Sequence, residues 1–216
     1  MSRSKRSFAL VKKELPGVEL CKDMLVVLPT EHILRGFLIE ATIEKDRIYL
    51  WRVVTPLHRP MRSVFLDYST RIPEGGPDVY VHRDAYKESA NAIRALISDH
   101  MGYLQRIRGP QDFLRHVERM IRNRSINFRF DLALTYYRVG EVQQCKDILR
   151  ELDVEVDQLD ATFRMPVDEV IKQVARQIEA NPAGLAALLD EWEDTNIETL
   201  GLQRSRLSSS APRLVE

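Results

Sequence analysis

Histidine is the side chain best suited to proton transfer or metal binding near neutral pH, and this chain has five: His32, His58, His82, His100 and His116. None stands at a spacing that makes a metal site by itself. His82-x-Asp84 offers two ligands from one strand end, but an exposed turn with Asp84 as a helix cap explains the same letters. Arg52, His58, Asp67 and Tyr68 fall on or beside neighbouring strands and could converge. An acid or base role for His58 or Asp67 would need them within hydrogen-bonding reach. The plainer reading pairs Arg52 with Asp67 and packs Tyr68 with its hydroxyl in water. No Gly-x-Ser-x-Gly elbow, phosphate loop or Gly-x-Gly-x-x-Gly occurs, and Glu74-Gly75-Gly76-Pro77 reads as a turn. The sequence therefore nominates no catalytic, cofactor-binding or metal-binding residue and points away from an enzyme.

Arginine gives the better binding candidate. Arg108, Arg115, Arg119 and Arg122 recur at steps of seven, four and three, the spacing of one helix side opposite an apolar face, and Arg124 and Arg129 extend the positive region into the next loop. Such a stripe can bind another protein or neutralise the phosphates of a nucleic acid. Against nucleic acid stand a formal net charge of zero and the lack of interleaved aromatic and basic residues. The bland alternative is a solvated face, or one docked on the chain's own acidic helices. Residues 141–200 carry fifteen acids against five lysines and arginines, so about ten units of negative charge there are balanced by an excess of basic residues elsewhere.

The chain has 216 residues, 44 % of them hydrophobic and 30 % charged, which suits one domain or two small ones with a core that needs no staples. Cys21 and Cys145 lie far apart and form no metal motif, so a reducing cytoplasm fits best. The basic start MSRSKRSFALVKKELPG has an apolar run too short for a signal-peptide core; an Arg/Ser-rich transit peptide is the alternative reading of it. No stretch approaches the ~20 apolar residues of a spanning helix, and a soluble protein with no membrane partner is expected.

The elements that must position these residues begin with GFLIEATIEKDRIYLWRVVTP, residues 36–56. Its alternation predicts a β-hairpin with Lys45-Asp46 at the turn. A two-residue loop sets Ile43 opposite Ile48, Ala41 opposite Leu50 and Ile39 opposite Arg52, leaving Arg52 the one charge on an apolar face; a three-residue loop would flip the second strand. Ser7–Leu15 reads as a short helix, Met24–Leu28 as a buried strand, 64–72 as a further strand and 79–81 as a short edge strand. Short polar connections favour an antiparallel sheet. From Asp84 the period changes to three and four: Ala90, Ile93, Leu96, Ile97, Met101 and Leu104 predict a long helix lying on the sheet. Gly109-Pro110 ends it and starts the next, which carries Phe113, Val117, Met120 and Ile121 on its apolar face. Further helices are expected at about 166–180 and 182–200, divided by Asn181-Pro182, with Trp192 a core residue.

In FDLALTYYRVGEVQQCKDILREL, Ala133 permits close helix approach, Gly140 supplies a left-handed helix end, and Cys145, Leu149 and Leu152 form the second helix's apolar contact. With Tyr136, this spacing resembles a single tetratricopeptide helical hairpin over residues 127–152, with no repeat one ~34-residue period later at Val167. The resemblance implies an interaction module.

The expected fold is α+β: an N-terminal antiparallel sheet of four or five strands packed by a long helix, then an all-α region. Its divisions are 1–107, 108–200 and a disordered tail at 201–216. The expected function is a cytoplasmic adaptor, regulator or inhibitor that binds another protein through Arg108, Arg115, Arg119, Arg122 and Arg124. Nucleic-acid binding through residues 106–129 and an enzyme of unrecognised type are the alternatives.

Overall fold

A computed structural model of the chain describes residues 3–44, 46–76, 79–80, 85–118, 125–158 and 166–202. Among these, the order is α1 (Arg3–Glu14), β1 (Val18–Cys21), β2 (Met24–Val27), β3 (Ile33–Ala41), β4 (Arg47–Pro56), β5 (Thr70–Ile72), β6 (Val79–Tyr80), α2 (Tyr86–Leu104), α3 (Pro110–Val117), α4 (Ile126–Arg138), α5 (Val142–Gln158), α6 (Pro166–Ala180) and α7 (Pro182–Leu200). The strands form one antiparallel sheet in the order β1-β2-β3-β4-β5, with β6 also on β4. An α+β fold results. Asp84, the expected helix cap, His82 beside it and residues 203–216 of the expected tail lie outside the described residues, and the helix cap is Ala85.

The hairpin is present with its register moved by two residues. Ile39 pairs with Leu50 and Ala41 with Ile48, while Arg52 faces Phe37. The Thr42 hydroxyl, 2.8 Å from the Glu44 carbonyl and 3.1 Å from that of Arg47, and the Glu44–Arg47 ion pair organise a longer loop in place of a two-residue turn. Ile43 is thereby fully exposed. A shift of two conserves which face each side chain takes, so the apolar set is intact.

That set, Ile33, Phe37, Ile39, Ile48, Leu50 and Val54, meets Phe8 and Val11 of α1 and Ile93, Ile97 and Leu104 of α2 in one core, which Phe113, Val117 and Phe128 continue into the helical region. Fully burying a side chain such as Phe37 contributes about 2–3 kcal/mol. Arg35 lies within this face and donates to the carbonyls of Leu104, the last residue of α2, and Pro29; a cation at a helix C-terminus satisfies orphan acceptors and complements the dipole.

The opposite sheet face carries Met24, Val26, Leu34 and Val53, covered by Leu57, Met61 and the end of α7 through Ile197 and Leu200. Residues 64–66 serve as part of this cover. The expected strand 64–72 therefore shortens to Thr70–Ile72, with the Phe65 carbonyl taken by the Thr55 hydroxyl at 2.8 Å.

Helices α4 to α7 form a third core of Phe130, Ala133, Leu134, Cys145, Leu149 and Leu152 against Ile171, Val174, Ile178, Leu185 and Leu189. Gly140, at φ +87°, closes α4: the Gly140 and Glu141 amides donate to the Tyr137 and Tyr136 carbonyls at 3.0 and 2.9 Å, the paired bonds of a Schellman motif.

Candidate functional site

Two places gather functional side chains, one closed and one open. The closed one lies where the segment after β4 meets α4. Asn127, Asp131 and Thr135 succeed one another at four-residue steps, so they occupy one face of α4, and that face is turned to residues 58 and 59. The Asp131 carboxylate accepts from Arg59 Nε at 2.6 Å and Nη2 at 3.0 Å, and from the Tyr68 hydroxyl at 3.0 Å. Arg59 Nη1 donates to the Asn127 side-chain carbonyl at 3.1 Å. His58 Nε2 lies 3.0 Å from the Thr135 hydroxyl and 3.3 Å from the Asp131 carbonyl oxygen.

His58 and Thr135 are fully buried, and Asp131 and Tyr68 are only 1 % exposed. Burial, with Arg138 nearby, depresses the His58 pKa to about 3, so the imidazole is neutral. Burial also pushes the Asp131 carboxyl up to about 6 against the opposing pull of Arg59 and Tyr68. The Tyr68 hydroxyl is shifted far upward by its burial and by the Asp131 carboxylate. These groups have the types of an acid–base site, but each is held by the fold and none is open to a substrate.

His58 and Tyr68 do come together, yet Arg52 and Asp67 stand apart from them. Arg52 lies over the Tyr103 ring at 4.3 Å and bonds His100, Thr70 and Glu74, while Asp67 is exposed. The Arg52–Asp67 pair expected from sequence is thus replaced by Arg52–Glu74, and the Tyr68 hydroxyl is dry. Arg59, Asp131 and Thr135 were missed. For the two on α4, the signal was the polar series 127, 131, 135 at four-residue steps.

The arginine stripe divides. Arg108 belongs to the connection before α3, since Pro110 opens that helix, and its backbone amide donates to Asp112 at 2.8 Å. Arg115 is exposed on α3 and bonds the same Asp112 carboxylate. Burial would raise the Asp112 pKa, but these donors outweigh it and hold it below the ordinary carboxylate value. Arg119, Arg122 and Arg124 lie outside the described residues. Arg129, expected to extend the stripe into a loop, lies instead within α4 and pairs with Glu155 of α5, and Arg138 reaches Asp190 at 2.7 Å and Glu193 at 2.8 Å on α7.

The open place is a groove of about 650 Å³ between residues 59–65, α4, α6 and α7. Its apolar wall is Met61, Phe65, Val167, Val170 and Trp192, with Arg62, Ser63, Thr195 and Thr199 also lining it. Trp192 is half-buried, between core and surface. The groove is firmly built. Asn196 on α7 donates to the Leu57 and Arg59 carbonyls at 2.6 and 2.7 Å and accepts from the Met61 amide at 3.0 Å, while the Arg59 guanidinium covers Phe65 at 4.2 Å.

No group of three or more His, Cys, Asp or Glu among the described residues could hold a metal ion, and no helix among them is long and apolar enough to cross a membrane. Comparison of the chain with protein-family models, with curated proteins and with solved structures found no match.

Proposed function

We propose that this chain is a non-enzymatic protein that binds another protein, and that the groove beside Trp192 is where it does so. The observation that carries the reading is the separation of chemistry from access. His58, Asp131 and Tyr68 are sealed inside the fold, whereas the groove opens an apolar surface of Trp192, Phe65, Val167 and Val170 to solvent, with Met61 at its floor. Aromatic and arginine side chains in a well-packed concave setting are the usual anchors of protein interfaces. The α4–α5 hairpin, read as tetratricopeptide-like, supports the same class, and the two free cysteines are in keeping with a cytoplasmic setting.

The groove takes the place of the arginine stripe as binding surface in this reading, because the Arg115 guanidinium is paired with Asp112 and that of Arg108 donates to the Gln105 carbonyl. The test is an affinity capture from native cytosol with nuclease, using the wild-type chain, Thr195→Trp and Arg115→Glu. Thr195 is an exposed groove residue, so a tryptophan there fills the groove without entering the core. A stoichiometric protein retained by wild type and Arg115→Glu but lost with Thr195→Trp is expected. Loss with Arg115→Glu instead would return the site to the stripe, and material lost wholly to nuclease would favour nucleic-acid binding.

A further inference from the structure

We infer that the groove selects an acidic-apolar segment of its partner, with an apolar side chain seated against Trp192 and Phe65 and a neighbouring carboxylate on Arg62. This rests on the reading of the groove as a partner site and adds the chemistry of the occupant.

Among the described residues, the lining holds two arginines and no carboxylate. The two arginines differ. Arg59 is spent on Asp131 and Asn127, so its charge is compensated inside the protein. Arg62 is exposed and has no ion pair among the described residues, so its charge is the uncompensated one in the groove. An apolar wall beside a single free guanidinium is complementary to an apolar residue next to Asp or Glu.

The surroundings sharpen that preference. Residues 141–200, which supply α6 and α7, are strongly acidic overall, yet the acids of α7 are absent from the lining. Glu193 is turned to Arg138 and His32, and Asp190 to Arg138. A basic segment would be drawn to the acidic helices in general and would meet Arg62 on entering the groove. An acidic segment is disfavoured on the surrounding surface and favoured at this one point, which converts charge into a choice of place. Met61 adds an adaptable contact, so a range of apolar side chains can fit.

The test uses the full chain. A randomised short-peptide display library is selected on the wild-type chain after depletion on Thr195→Trp, and enriched peptides are measured by fluorescence anisotropy against wild type, Arg62→Gln and Thr195→Trp. Both substitutions are at exposed positions, and equal melting temperatures check that the variants fold. The expected consensus places Asp or Glu beside Leu, Phe or Trp. Its affinity should fall about threefold in Arg62→Gln at ~50 mM salt, the scale of an exposed ion pair, with the difference fading at ~500 mM. A groove-dependent consensus that is neutral or basic, or one indifferent to Arg62→Gln at low salt, overturns this inference and leaves the groove reading standing. Absence of any peptide sensitive to Thr195→Trp overturns both.

Discussion

Arg59 and Asp131 meet in a two-point pair, Nε to Oδ1 at 2.6 Å and Nη2 to Oδ2 at 3.0 Å, with each residue at most 3 % exposed. The pair fastens the segment that leaves β4 to the inner face of α4, joining the sheet to the helices. A buried pair of this kind offsets a large desolvation cost, so its removal and its replacement have different consequences.

Breaking one side should be severe. Asp131→Asn leaves the Arg59 charge buried without its carboxylate and is expected to lower stability by about 3–5 kcal/mol. The double variant Arg59→Met/Asp131→Leu removes both charges and should recover a substantial part of that loss. Urea unfolding of the three chains measures it; a cost below about 1 kcal/mol for Asp131→Asn would show that the pair is not the fastening described.

The neighbouring histidine makes stability depend on pH. In the unfolded chain His58 takes up a proton below its ordinary 6.5, but the folded chain refuses it until about pH 3. The folded pKa is depressed, so the neutral imidazole's contribution is complete above pH 6.5 and is lost as the pH falls. Asp131 acts in the opposite sense: its folded pKa of about 6 exceeds the ordinary 3.8, so its contribution favours folding on acidification through that interval and is lost as the pH rises through 6. His58→Gln removes only the first slope. The stability difference between wild type and variant should therefore fall by about 1.4 kcal/mol per pH unit on acidification below pH 6.5. Parallel pH profiles for the two proteins would remove His58 as the cause.

Much of the fold was legible because period and polarity are local. The three-and-four spacing of Ala90 to Leu104 gave α2, Asn181-Pro182 gave the α6–α7 boundary, and the alternation of residues 37–43 gave the hairpin faces. What was hidden depended on loop hydrogen bonds that leave no trace in period or polarity, or on groups distant in sequence. The hairpin register turned on the Thr42 hydroxyl and its loop carbonyls, and the shortened β5 strand on the use of Val64, Phe65 and Leu66 to cover the second sheet face. The buried centre joins residues more than seventy positions apart: nothing beside Arg59 in the chain marks it as buried, because its partner Asp131 comes from α4. The groove was invisible for the same reason, since Met61, Val167 and Trp192 share a wall only after α6 and α7 are folded.

Gly36 marks a close approach of β2 and β3. A Cβ at this position would stand 2.3 Å from the Leu25 carbonyl oxygen, a backbone atom that cannot rotate aside. Gly36→Ala must separate the strands or bend one, and is expected to cost about 2–3 kcal/mol. Thermal unfolding checks this, and a neutral result would mean that the strands are spaced more widely there in solution.

Asn196 connects stability to the groove. It is 1 % exposed, and its one amide group satisfies the Leu57 carbonyl, the Arg59 carbonyl and the Met61 amide, the segment that carries the groove's Met61 and Arg62. Asn196→Ala leaves those three backbone groups without that partner, at a cost of about 1–3 kcal/mol or more. Asn196→Asp should be worse, because it keeps an acceptor for Met61 but sets its second oxygen against two carbonyl oxygens. The distinguishing readout is local: amide exchange at Met61 should accelerate in the alanine variant more than exchange across β3, whose ladder to β4 is untouched. Equal acceleration at both places would make Asn196 a contributor to global stability alone, whereas a selective effect at Met61 should be accompanied by weaker binding of any groove ligand, since a wall that moves must be ordered again when the ligand arrives.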